Sequence, residues 1–145
     1  MKTSKKITRI KLDSEDNKNY SFIFGIVSAE PDYKVSLALN RKLNISLRIS
    51  TPYEIHTGTG KVADFGRFTD SSGMPDSYHA LVSNRSGKNI LSKKFSRIDY
   101  FFSVFHSFPS GDINLIGRKI KDAEGVTAVF PIKPDEIDPE IFQFL

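Results

Sequence analysis

An aromatic run in the last third of the chain, with Ile98, Tyr100, Phe101, Phe102, Val104 and Phe105, passes into a segment whose apolar residues fall at Ile113, Ile116 and Ile120. A second apolar run, Val126–Ile132, follows directly. The first and last stretches read as strands and the middle one, with spacings of three and four, as an amphipathic helix. Strand, crossover helix, strand is the returning half of an α+β sandwich, because two strands joined this way need a helix to cover the sheet. The pattern constrains the fold and carries no chemistry of its own.

The 145 residues suit one domain able to bury a core without staples. Hydrophobic residues at 39% and 12 Phe argue against a disordered chain. With no cysteine, disulfides, thiolate metal sites and cysteine nucleophiles are excluded. The first residues carry Lys2, Lys5, Lys6, Arg9 and Lys11 without an acid, but no apolar stretch of signal-peptide or membrane-spanning length follows, so a cytoplasmic protein is expected, with no membrane partner.

Ile7, Arg9 and Lys11 alternate with Thr8, Ile10 and Leu12, which predicts an opening strand, and 14–19 is a polar turn. Residues 20–28 are nearly continuous in apolar character and predict a central strand. Pro31 and Asp32 suit a helix start, Val35, Leu39 and Leu43 make one apolar face, and Asn44 suits a left-handed terminator. Ile45, Leu47 and Ile49 predict a half-buried strand after that helix. Between 51 and 77 only 61–69 reads as a strand, paired as a hairpin with 77–84.

In the 98–106 strand, Ile98, Tyr100, Phe102 and Val104 share one face, while Asp99, Phe101, Ser103 and Phe105 share the other. Ser110 or Asp112 is expected to cap the following helix. Val126, Ala128, Phe130 and Ile132 are expected on the inner face of the last strand. An acidic tail, 133–145, ends in Ile141, Phe142, Phe144 and Leu145 and is expected to dock through them. The expected whole is a single domain over 1–145: a two-layer α+β sandwich, its antiparallel-rich sheet carrying two helices on one face, related to the ferredoxin-like plait with extra strands. That plan serves many functions and names none.

His56, His79 and His106 lie in separate elements without metal-pair spacing, so a structural or exposed role is expected of each. Asp64, Phe65 and Gly66 spell the magnesium triplet of kinases, but the matching loops are missing. Residues 84–89 hold a Gly-Lys pair without the first glycine of a phosphate loop, so a hairpin loop is expected there. No catalytic residue, metal or cofactor is assigned.

Net charge is +4 and uneven. Arg85, Lys88, Lys93, Lys94 and Arg97 form a basic run, while Asp122, Glu124, Asp135, Glu136, Asp138 and Glu140 face Lys133 alone in the last 24 residues. With Phe95 as a stacking ring, the basic run is the one candidate contact for an anion or nucleic acid. Phe101, Phe105, Phe142 and Phe144 are the candidate protein-interface residues, and a homodimer or a protein partner is the leading expectation, ahead of RNA or a small regulatory ligand.

Phe24, Gly25, Ile26 and Val27 leading to Asp32, Tyr33 and Lys34, then Leu39, Asn40, Arg41, Lys42 and Leu43, and later Ile98, Asp99 and Tyr100, resemble the IPExxxVDY family, a small bacterial family without an assigned activity. Residues 45–49, 78–84 and 120–132 extend the resemblance. Where that family has Ile-Pro-Glu, this chain has Ser92, Lys93 and Lys94. The resemblance implies an α+β domain and carries over no site residue.

Overall fold

A computed structural model describes residues 20–56, 58, 60–107, 113–142 and 145. The opening strand expected at 7–12, the polar turn at 14–19, the helix-capping Ser110 and Asp112, and Phe144 lie outside the described residues.

Strand β1, Tyr20–Ser28, runs into helix α1, Asp32–Leu43. Asp32 stands in the first turn and Arg41 and Lys42 in the last, so charge complements the helix dipole at both ends. Asn44 closes α1 in the left-handed conformation (φ 57°, ψ 50°) and donates its N–H to the Asn40 carbonyl. The Asn40 amide then grips the Leu47 backbone twice, accepting from its N–H at 2.7 Å and donating to its carbonyl at 3.2 Å. That grip turns the chain back toward the sheet. The strand expected at 45–49 shrinks to β2, Arg48–Ile49, at the sheet edge.

The single strand expected at 61–69 is two strands, β4 (Val62–Phe65) and β5 (Arg67–Asp70), which belong to different sheets. The break falls at Gly66, where a Cβ would meet the Asp32 carboxylate, so glycine lets the start of α1 sit close against this corner. A strand not foreseen, β3 (Tyr53–His56), pairs antiparallel with β4. Strand β6, Ser77–Ser83, pairs with β5 as expected. The 84–89 loop is a small hairpin, β7 (Arg85–Ser86) with β8 (Asn89–Ile90). Strand β9, Tyr100–His106, leads to helix α2, Ile113–Lys121, and edge strand β10, Val126–Ile132. A 3-10 turn, Pro134–Glu136, and a short helix α3, Pro139–Phe142, finish the described chain.

The main sheet has six strands in the order β10-β1-β9-β6-β5-β2, antiparallel throughout. On one face Phe24, Ile26, Leu81 and Phe102 pack with Val35, Ala38 and Leu39 of α1 and Ile120 of α2. Both long helices therefore cover the same face. The opposite face buries Ile23, Phe101 and Ile132 beneath Tyr53, Ala63 and Phe65 of the β3–β4 hairpin and Ile137 and Ile141 of the tail. This second covering layer is what a two-layer reading leaves out. Ile98 precedes the strand and packs with Phe101 on that second face, not with Tyr100 and Phe102. In β10 the pairing with β1 slips opposite Val27 and Ser28, which breaks the alternation: Val126 and Val129 pack toward the helices, Ile132 toward the tail, and Phe130 is 51% exposed. Among the described residues no helix is long and apolar enough to cross a membrane.

Candidate binding cleft

The described residues of the tail cover the second face only in part. Beside α3 they leave a cleft of about 300 Å³ whose floor is Ile23 of β1 and Ser103 and Phe105 of β9. Tyr78 of β6 and Met74 form one side, and Phe142 and Leu145 of the tail form the other. Ile23 lies opposite Ser103, and Phe105 opposite Tyr78, so strand register places these four side chains on one face. Phe142 is 41% and Met74 56% exposed at the rim. Arg67 donates to the Tyr78 hydroxyl at 3.2 Å and to the Ser50 hydroxyl at 3.1 Å, which sets a cationic group behind the Tyr78 wall.

Of the four aromatic interface candidates, Phe105 and Phe142 meet in this cleft, whereas Phe101 is fully buried, edge-on to Phe95 at 6.0 Å, and belongs to the core. The fourth, Phe144, lies outside the described residues.

The basic run is not one surface. Arg85 is drawn to Asp99 at 2.7 Å and to the Ser96 carbonyl at 2.6 Å. Lys94 donates to the Glu136 carbonyl at 3.1 Å and stands 5.5 Å from the centre of the Phe95 ring, tying this loop to the tail. Phe95 packs inward on the second-face core. Lys88, Lys93 and Arg97 are exposed. A stacking ring and two of the five cations are thus engaged in holding the loop.

What organises that loop is Asn84, which sequence reasoning passed over. Its side chain is fully buried, donates to the Phe95 and Ile98 carbonyls at 2.9 and 2.8 Å, and accepts from the Ser92 N–H at 2.7 Å. Asp99 and Tyr100, the residues of the family resemblance, latch the neighbouring corner. Asp99 accepts from the Ser28 N–H at 2.9 Å, and Tyr100 donates to the Glu30 carbonyl at 2.5 Å. Burial, and behind it the charges of Asp32, Asp99 and Glu30, push the Tyr100 phenol up to about 12. It stays a neutral donor.

At the opposite end of the sheet, on the helix face, Asp70 accepts from the Ser46 and Ser72 N–H groups and the Ser72 hydroxyl. Burial raises its pKa, but those hydrogen bonds outweigh it and hold the carboxyl below the usual range. His79 is buried, its Nδ1 3.8 Å from Asp70 and beyond hydrogen-bond reach. Its ring lies parallel to Phe102 and edge-on to His106. Burial lowers the pKa of His79, with Asp70 opposing the shift, and burial lowers that of His106. His79 is buried, His106 is half-buried beside it, and His56 is exposed. Among the described residues no three His, Asp or Glu side chains are grouped to hold a metal ion.

Two further hollows are more polar. One, of about 470 Å³, lies along α1 between Tyr33, Leu37, Arg41 and Glu124, and another, of about 400 Å³, surrounds the Arg85–Asp99 pair. Neither combines an apolar wall with a buried polar floor as the β9 cleft does. Neither a family model nor a curated protein matches this chain.

Proposed function

We propose that this domain works by binding, without covalent chemistry, and that the cleft between β9 and α3 receives an apolar group of its partner. The observation that carries this reading is the cleft itself, where Phe105 and Phe142 face one concave surface floored by a rigid central strand. Binding sites concentrate on such concave apolar surfaces with few polar groups. Phe142 and Met74 are the exposed apolar rim a partner would cover, whether that partner is a second copy, another protein or a small molecule. A saturable rise in fluorescence of the neutral apolar dye Nile red at one site per chain, lost in Phe105→Ser, is expected. A linear, unsaturating response unaffected by the substitution would refute the reading.

We also read the fold as a plait relative. The strands β10, β1, β9 and β6 stand in the order fourth, first, third, second once β2 to β5 are set aside as additions, and α1 and α2 share a face. Kinship with the IPExxxVDY family is likewise proposed, on the sequence resemblance alone, Ile98, Asp99 and Tyr100 included. The RNA-binding reading through Lys88, Lys93 and Arg97 ranks second, since Phe95, its stacking group, is committed to the core.

A further inference from the structure

We infer that the β9–α3 cleft is a site for a small carboxylic acid with an aliphatic or aromatic body, its carboxylate paired with the Ser103 hydroxyl. This inference rests on the cleft being the binding surface.

Ser103 is the first reason. It stands in the middle of a strand otherwise built of Tyr, Phe, Val and a closing His, is 8% exposed, and lines the cleft floor. Its hydroxyl forms no hydrogen bond among the described residues. A ligand filling the cleft removes that hydroxyl from water, which costs about 1–3 kcal/mol unless the ligand supplies a partner. A wholly apolar occupant is therefore disfavoured.

The sign of the partner follows from the walls. The Tyr78 hydroxyl accepts from Arg67 at 3.2 Å, which leaves its own proton to be donated to another acceptor. Among the described residues no acidic side chain lines the cleft. Two hydroxyl donors favour an acceptor, and a charged acceptor over a neutral one, because bonds to an ionised oxygen are roughly twice as strong. An amine or guanidine would meet neither an acid nor a free carbonyl among these lining side chains.

Size sets the body. A cleft of about 300 Å³, at roughly 30 Å³ for each water-sized group, holds a molecule of about ten non-hydrogen atoms. Octanoate has that size, and octan-1-ol is its uncharged counterpart.

Calorimetry of the full chain at pH 7.5 with each compound tests the inference. Octanoate is expected to bind one site about tenfold more tightly than octan-1-ol, and Ser103→Ala to weaken octanoate about tenfold while changing the alcohol less. Tyr78→Phe, which keeps the wall and removes the second donor, should reduce the same preference. Equal affinity for the two compounds, unchanged by either variant, would overturn the carboxylate assignment and leave the cleft reading standing. Failure of both compounds to bind, in a protein that takes up Nile red, would likewise overturn it. Failure of Nile red as well would remove the cleft reading itself.

Discussion

The two faces of the sheet are covered by different means. On one, two helices with periodic apolar stripes close a continuous core around Phe102, Leu81 and Leu39. On the other, among the described residues, a short hairpin, an Asn84-centred loop and a tail seal the middle of the sheet but stop short of its end at β9. Helices pack as solid ridges and leave few gaps, whereas a cover assembled from loops ends where its anchors end. The tail buries Ile137 and Ile141 and leaves Phe142 at the rim, so the cleft lies where the second cover runs out.

Truncating one β9 ring on each side, at Phe102 and at Phe105, should separate the faces most strongly. Phe102→Ala, in the closed core, is expected to cost about 3–5 kcal/mol of unfolding free energy in urea. Phe105→Ala, at the cleft, should cost under about 1.5 kcal/mol because its ring is only partly buried. Equal losses would mean the second face is as closed as the first.

Asn84→Ala attacks the second cover from within. It strips partners from two carbonyls and one N–H, and about 3 kcal/mol should be lost, with faster hydrogen exchange in 85–98 than in α1. Uniform exchange changes would show that the loop is not a separate unit. Gly25→Ala comes next, since a Cβ there meets the Ile98 and Ile132 side chains on the second face. A loss of about 1–3 kcal/mol is expected, relieved by adding Ile98→Val.

The smallest effect belongs to the helix face. His79 and His106 have folded pKa values below 6.5, so their contribution is complete above the unfolded value and is lost as pH falls below it toward the folded one. Between pH 7 and 5.5 stability should fall as pH falls, and His79→Gln should flatten that slope. A slope unchanged by His79→Gln would place the titrating group elsewhere.

The helix face was legible in the sequence because its signals are local. Val35, Leu39 and Leu43, the Asn44 terminator and the Ile113, Ile116 and Ile120 spacing locate both helices. The second cover was not, because β3 pairs with β4 across a Gly- and Thr-rich turn and because an apparently continuous strand breaks at Gly66, close against Asp32. Phe105 and Phe142 could be picked out by type, but their meeting depends on where the tail folds back. Asn84 looked like a turn residue, and only its buried bonds reveal its role. Ser103 did leave a trace, as the one aliphatic hydroxyl inside YFFSVF, facing the same side as Phe101 and Phe105.

The most direct test is a titration of isotope-labelled protein with octan-1-ol, following backbone amide shifts. The account predicts a saturable set centred on Ile23, Tyr78, Ser103, Phe105 and Phe142, with the α1 amides still. Shifts centred instead on the α1 hollow at Tyr33 and Leu37 would contradict the claim that the unfinished cover of the second face is the binding surface.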